Sequence, residues 1–100
     1  MSRNSKTQSQ HDREVTRIAK SLEKKGFNVA ADVAGYQKPE TVRGFRPDVF
    51  ATKGKEKKIV EVETPDSVDS DRDQKQQAAF RARAKASPTT TFRRVVTKGK

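Results

Sequence analysis

Three carboxylates fall within two short segments, RPDVF and KKIVEVE, whose alternation predicts two paired strands. Asp48 lies in the first segment, and Glu61 follows it by thirteen residues. Because alternate side chains of a strand share a face, Glu61 and Glu63 are expected to point to the same side. Acids placed together on paired strands repel one another, and a divalent cation held by Asp48, Glu61 and the backbone carbonyl of Val62 would relieve that repulsion.

The composition limits the kind of cation. The chain has no cysteine and a single histidine, His11, which excludes a disulfide framework, a thiolate zinc site and a multi-histidine centre. A hard, oxygen-preferring ion, Mg²⁺ or Mn²⁺, is the remaining candidate. Such an ion lowers the pKa of a bound water and neutralises charge on a phosphate under attack. We predict His11 itself to be a surface residue near the start of a helix.

The spacing of the acids leaves a second interpretation open. Glu61 and Glu63 are also compatible with the solvent face of an edge strand, where they would pair with Lys57 or with arginines. On that interpretation the alternating charges are a surface pattern, and the two carboxylates bind no metal.

The charges of the chain are unevenly distributed. The formal net charge is +10, and residues 81–100 carry seven Lys and Arg and no acid, whereas residues 61–73 carry six acids and one Arg. A basic tail beside an acidic cluster indicates a polyanionic partner and a place for cations. A solvated basic surface without a partner is the simpler alternative.

Two glycines and one proline in residues 34–46 predict a long loop. The loop carries basic and aromatic side chains, a combination that contacts phosphates and stacks on bases. Its aromatic residues, Tyr36 and Phe45, are equally suited to covering an edge of the core. The predicted phosphate contacts from this loop, the second helix and the last strand are Lys38, Arg43, Arg46, Arg81, Arg83, Arg93 and Arg94.

Hydrophobic periodicity predicts the elements that carry these residues. An apolar stripe from Val15 to Leu22 indicates a first helix, which starts near Ser9 or Asp12. Gly26 is placed to end this helix. Residues 1–9 are polar and without periodicity, so we predict a disordered tail, followed by a single domain over residues 10–100.

The rest of the chain alternates between strand and helix patterns. Residues 27–33 predict a strand, PDVFAT and KIVEVET a hairpin, and TTFRRVV a last strand. A second helix with small side chains on one face starts at Ser67 or Ser70 and continues to about Lys85. Because this helix would connect the third strand to the last as a crossover, the last strand is predicted to lie parallel to the third. The predicted fold class is α/β, with a mixed four-stranded sheet flanked by helices in the order α-β-β-β-α-β.

The amino-terminal residues are polar and carry no apolar signal region, and no apolar run approaches the roughly 18 residues that span a bilayer. We therefore expect a cytoplasmic protein without a membrane partner.

The strand motifs resemble those of the PD-(D/E)xK nuclease superfamily, which includes restriction endonucleases and archaeal Holliday-junction resolvases. Pro47 and Asp48 match the Pro-Asp that opens the second strand in that superfamily. Glu61 and Val62 match the second acid and the residue after it, and the element order matches over residues 12–97. The resemblance implies a restriction-endonuclease-like core and a Mg²⁺- or Mn²⁺-dependent phosphodiesterase that acts on DNA.

One position departs from the motif, because Glu63 stands where the superfamily has a lysine. In an active protein, Glu63 would bind a second metal or place the attacking water. Lys75 of the second helix, with Gln74 and Gln77 beside it, would then replace the missing cation. The resemblance also implies an acid from the first helix, for which Glu14 is the best match, and an ordinary exposed acid favoured by the helix dipole is the alternative.

Three hypotheses about function follow. The first is a metal-dependent DNA endonuclease that uses these residues, for which we also expect a homodimer. The second is a catalytically inactive nucleic-acid-binding module on the same fold, which the missing lysine favours. The third is a small basic RNA-associated protein with an unrelated α+β fold, in which the three acids would be scattered.

Overall fold

The structure is a computed structural model that describes residues 5–65 and 71–97. Its elements follow the predicted order α-β-β-β-α-β. The helices and strands are α1 (Ser5–Lys24), β1 (Asn28–Ala31), β2 (Val49–Lys53), β3 (Glu56–Glu63), α2 (Asp71–Lys85) and β4 (Thr90–Val96).

Helix α1 begins earlier than predicted. It starts at Ser5 and not near Ser9 or Asp12, so residues 5–9 are helical and the predicted disordered tail is wrong for them. The first four residues of that predicted tail lie outside the described residues. Residues 5–9 are polar and lack the apolar periodicity from which the start of α1 was predicted. Helix formation there does not require that periodicity.

The end of α1 is set by local hydrogen bonds around Gly26. The Gly26 N–H donates to the Glu23 carbonyl, and the Phe27 N–H donates to the Leu22 carbonyl. These two bonds form a Schellman cap, which requires the left-handed conformation that Gly26 adopts with φ 94°. Phe27 and Leu22 are both buried in the core, so the cap also directs the chain into β1.

The four strands form one sheet in the order β1-β2-β3-β4. The first three strands pair antiparallel, and β3 pairs parallel with β4, as predicted. Strand β1 is shorter than the predicted residues 27–33, because the chain bends after Ala31, whose N–H bonds to the Gln37 carbonyl.

The helices cover opposite faces of the sheet. The apolar stripe of α1 packs with Val49, Ala51, Val60 and Val62 in one buried cluster. On the other face, the α2 residue Phe80 is fully buried with its ring centroid 5.6 Å from that of Phe92. Alternation along β3 therefore places Val60 and Val62 toward α1, and Glu61 and Glu63 toward α2.

Because β3 lies inside the sheet, its acids are not on an edge. Glu61 and Glu63 are only 3% and 4% exposed, so the alternative of a solvent-facing edge strand is wrong. A burial of two neighbouring acids requires compensation from hydrogen bonds, from proton uptake or from a cation.

Helix α2 begins at Asp71 in the described part of the chain. The predicted starts at Ser67 and Ser70 lie outside the described residues. Its buried side chains include the polar Asp73 and Gln76 beside Phe80, so its inner face is less apolar than the small-residue pattern indicated.

Neither α1 nor α2, the two helices of the described residues, combines the length and the apolar character needed to cross a membrane.

Candidate active site

Asp48 and Glu61 lie side by side where β2 begins. Val49 pairs with Val60 in the antiparallel register, so Asp48 and Glu61 are the next residues along the two strands. The Asp48 N–H donates to Glu61 Oε1 at 2.9 Å, and the Val62 N–H donates to Asp48 Oδ2 at 2.9 Å. Each carboxylate is thus held by the backbone of the other strand, which gives the pair one defined geometry.

The burial of this pair has an electrostatic consequence. Loss of hydration, followed by the negative charge of Asp48, raises the pKa of Glu61 from 4.5 to about 10. The charge of Glu63 acts in the same direction, whereas the hydrogen bond from the Asp48 N–H lowers this pKa. In the absence of a cation, Glu61 therefore holds a proton at neutral pH beside the Asp48 carboxylate.

Helix α2 contributes Gln76 to the pair. Its Nε2 lies 3.3 Å from Glu61 Oε2, and its side chain is buried. The sequence pattern indicates Gln74 and Gln77, and not Gln76 between them. Gln77 instead donates to Asp73 Oδ2 at 3.1 Å.

Helix α1 contributes His11, and our prediction that His11 is a surface residue is wrong. His11 is 5% exposed, its Nε2 lies 3.1 Å from Asp48 Oδ1, and its Nδ1 lies 3.0 Å from Asp12 Oδ1. The signal was present in the sequence, because His11 precedes Val15 by four residues and so extends the buried stripe of α1 by one turn.

We expect His11→Phe to lower the free energy of unfolding by about 1–3 kcal/mol, because a ring of similar size would fill the site without hydrogen-bonding the Asp48 carboxylate. Urea unfolding with a chelator present measures this change. Arg13→Met, an exposed substitution two residues away, is the control and should change stability by less than about 0.5 kcal/mol. Equal stability of His11→Phe and the wild type would contradict the structural role of this contact.

Glu14 does not join the pair. Its carboxylate forms an ion pair with Arg17 one turn along α1, and the hydrogen bond from Arg17 lowers the pKa of Glu14. This geometry is that of a helix-surface pair, which was the alternative interpretation of Glu14.

The cations near the pair differ from those expected. Lys75 is exposed and forms no ion pair with any residue in the described part of the chain. Arg94 of β4 lies next to Glu61 of β3 in the parallel register. Its Nη1 donates to Oδ2 of the buried Asp73 at 2.9 Å. The ion pair between Arg94 and Asp73 therefore links β4 to α2 beside the carboxylates.

The donor chemistry of the pair fits Mg²⁺ or Mn²⁺ better than a metal that needs a full protein cage. Within residues 5–65 and 71–97, no group of three or more His, Cys, Asp and Glu side chains is arranged to hold a metal ion. Magnesium is commonly held by only one or two carboxylates, with waters and substrate phosphates as its other ligands. A cation beside Asp48 and Glu61 would also offset the repulsion that raises the pKa of Glu61.

The seven predicted phosphate contacts do not share one surface. Arg93 and Arg94 are neighbours in β4, so their side chains point to opposite faces of the sheet. Arg46 hydrogen-bonds the Pro39 carbonyl within its own loop, and Arg83 lies 3.4 Å from Thr90 Oγ1. The exposed members are Lys38, Arg43, Arg46, Arg81 and Arg93.

Of the two loop aromatics, Tyr36 has contacts that match one of the two interpretations. Tyr36 is half-buried against the core cluster, and its hydroxyl donates to Glu23 Oε1 at 2.8 Å, so it covers a core edge. Phe45 is half-buried in a turn closed by a bridge between Val42 and Phe45.

Comparison with known proteins gives one family match. A family model described as REase_AHJR-like, a restriction-endonuclease-like family of the PD-(D/E)xK type, matches residues 2–99. No curated protein and no solved structure matches the chain.

Proposed function

Because the chain belongs to the AHJR-like restriction-endonuclease-like family, we propose that it is a metal-dependent endonuclease that hydrolyses phosphodiester bonds in DNA. The observation that supports this proposal best is the buried pair of Asp48 and Glu61. Two acids on neighbouring strands, held by each other's backbone, are expensive to bury without a cation. Family membership and this arrangement favour a Mg²⁺ or Mn²⁺ site.

The proposed ligands are the Asp48 and Glu61 carboxylates and the Val62 carbonyl. A bound Mg²⁺ or Mn²⁺ would supply an activated water and neutralise charge on the phosphate. Gln76 and His11 would orient the two carboxylates, because they contact Glu61 and Asp48 respectively. This is the role that outer hydrogen-bond partners have at metal sites in general.

Two further residues have proposed catalytic roles. Glu63 is buried on the same face of β3 as Glu61, where it would help to hold a second metal or place the water. Lys75 would stabilise the charge of the phosphate, since it is exposed on α2 beside Gln76 and unpaired within the described residues. Arg94 is less suited to that role because Asp73 holds its guanidinium.

Plasmid cleavage tests the proposal. We expect the wild type to nick supercoiled DNA with Mg²⁺ or Mn²⁺ and to lose this activity with a chelator. Asp48→Ala should reduce cleavage to the background level, whereas Asp32→Ala, a half-buried acid on the neighbouring bend, should retain it. Equal activity of the wild type and Asp48→Ala, or no activity in either, would refute the proposal.

A second candidate is a catalytically inactive nucleic-acid-binding module, which Glu63 at the motif-lysine position favours. This candidate predicts salt-dependent DNA binding without cleavage. Titration with Mg²⁺, followed by NMR at the side chains of Asp48 and Glu61, separates the two candidates. Site-specific shifts support the enzyme, and unchanged side-chain signals support the binding module.

A further inference from the structure

A cleft of about 370 Å³ opens between α1 and strands β3 and β4. It lies on the α1 face of the sheet, because Val60 and Arg93 line it while their neighbours Glu61 and Arg94 point toward α2. The cleft is therefore separate from the contacts of Glu61 with Gln76.

The rim of this cleft carries a uniform charge. Its four charged side chains are all cationic, and they are Arg17, Lys25, Lys58 and Arg93. Lys25 and Arg93 form no ion pair within the described residues, and the pairs of Arg17 with Glu14 and of Lys58 with Glu56 are at the surface, where such pairs are weak. Four cations without a lining acid attract a polyanion.

The floor of the cleft is apolar. Ile18 and Leu22 of α1 and Val60 of β3 form it, each 7% exposed or less. A ligand that suits both parts has an apolar body and an attached anion. A nucleotide has this composition, with its base for the floor and its phosphate for the rim.

We propose that this cleft binds one nucleotide unit of single-stranded nucleic acid, with the base on the apolar floor and the flanking phosphates on the basic rim. A duplex is a poor occupant, because its bases are paired and stacked and cannot reach the floor. The inference rests on the proposed function for the kind of polymer, but it concerns a second site on the other face of the sheet.

The test is the affinity for a fluorescein-labelled single-stranded oligonucleotide, measured by anisotropy with a chelator so that cleavage plays no part. Lys25→Gln/Arg93→Gln removes two rim charges. Arg72→Gln/Lys85→Gln removes two exposed charges from α2, which covers the opposite face of the sheet, and is the matched control. We expect the rim variant to bind about tenfold more weakly than the control variant, with the slope of log affinity against log salt reduced by about 0.7 for each lost phosphate contact.

A second measurement tests the floor without altering the protein. An oligonucleotide with abasic positions keeps the phosphates but has no base for the floor, so it should bind the wild type several-fold more weakly than the intact strand does. Equal affinity of the wild type for the two strands would overturn the inference. Equal losses in the rim and control variants would overturn the inference. Displacement by polyglutamate or by a free mononucleotide at matched charge concentration would also overturn it, in favour of an acidic peptide or a small-molecule site.

These outcomes are independent of the cleavage test. If the rim variant loses binding while Asp48→Ala cleaves like the wild type, the cleft stands and the endonuclease proposal fails. If Asp48→Ala loses cleavage while the rim and control variants bind alike, the endonuclease stands and the cleft proposal fails.

Discussion

Glu61→Gln is expected to stabilise the metal-free protein by about 3 kcal/mol near neutral pH and, at the same time, to remove metal-dependent cleavage. The amide is close in shape to the protonated carboxyl, and its oxygen is able to accept the Asp48 N–H that now bonds to Glu61 Oε1. It carries no charge, however, so it is a poor ligand for Mg²⁺ and removes the cost of burying an acid.

The sign of this effect follows from the pKa of Glu61. The folded protein holds the Glu61 proton up to about pH 10, whereas the unfolded chain releases it near 4.5. The contribution of Glu61 to the free energy of unfolding is therefore complete below pH 4.5. Above that pH the contribution declines by about 1.4 kcal/mol per pH unit until the pKa of Glu61 in the folded protein is reached. The advantage of Glu61→Gln over the wild type should consequently grow from weakly acidic to alkaline pH.

Urea unfolding at several pH values, with a chelator present, measures the difference between the two proteins. Glu56→Gln is the matched control, since Glu56 lies in the same strand, is exposed and forms only a surface pair with Lys58 at 3.4 Å. Its effect should stay below about 0.5 kcal/mol at every pH. A Glu61→Gln protein that is less stable than the wild type, or a difference that does not change with pH, would contradict a protonated Glu61.

Asp73→Ala is expected to lower the free energy of unfolding by about 2–4 kcal/mol. Asp73 is 2% exposed and accepts hydrogen bonds from Arg94 and Gln77. Removal of its carboxylate leaves the half-buried guanidinium of Arg94 without its partner, which costs more than the pair itself contributes. Because this pair ties α2 to β4 beside Glu61, a loss of order there would also move Gln76.

The double variant Asp73→Leu/Arg94→Met tests whether the loss comes from the stranded charge. It should recover at least half of the stability lost in Asp73→Ala, since both charges are replaced by apolar groups of similar size. Arg81→Ala, which removes an exposed hydrogen bond to Gln77, is the control for a change of charge on this part of the molecule. A double variant no more stable than Asp73→Ala would refute the explanation.

Local sequence was sufficient for the architecture and for the carboxylate pair. The apolar stripe of α1 and the alternation in β2 and β3 predict the individual elements, because these patterns depend on neighbours within one turn or one strand. The helical connection between β3 and β4 then predicts that β4 lies parallel to β3. The same alternation places Glu61 opposite Asp48 once the hairpin is formed.

The partners of that pair were decided only by the tertiary structure. Gln76 reaches Glu61 and Lys75 does not, although they are adjacent, because one residue turns a helix face by about 100°. The same dependence on rotation puts His11, and not Glu14, against Asp48. The rotation of a helix on a sheet is set by packing between elements. The burial that raises the pKa of Glu61 arises from the same packing. The helix rotation and this burial therefore cannot be obtained from spacing along the chain.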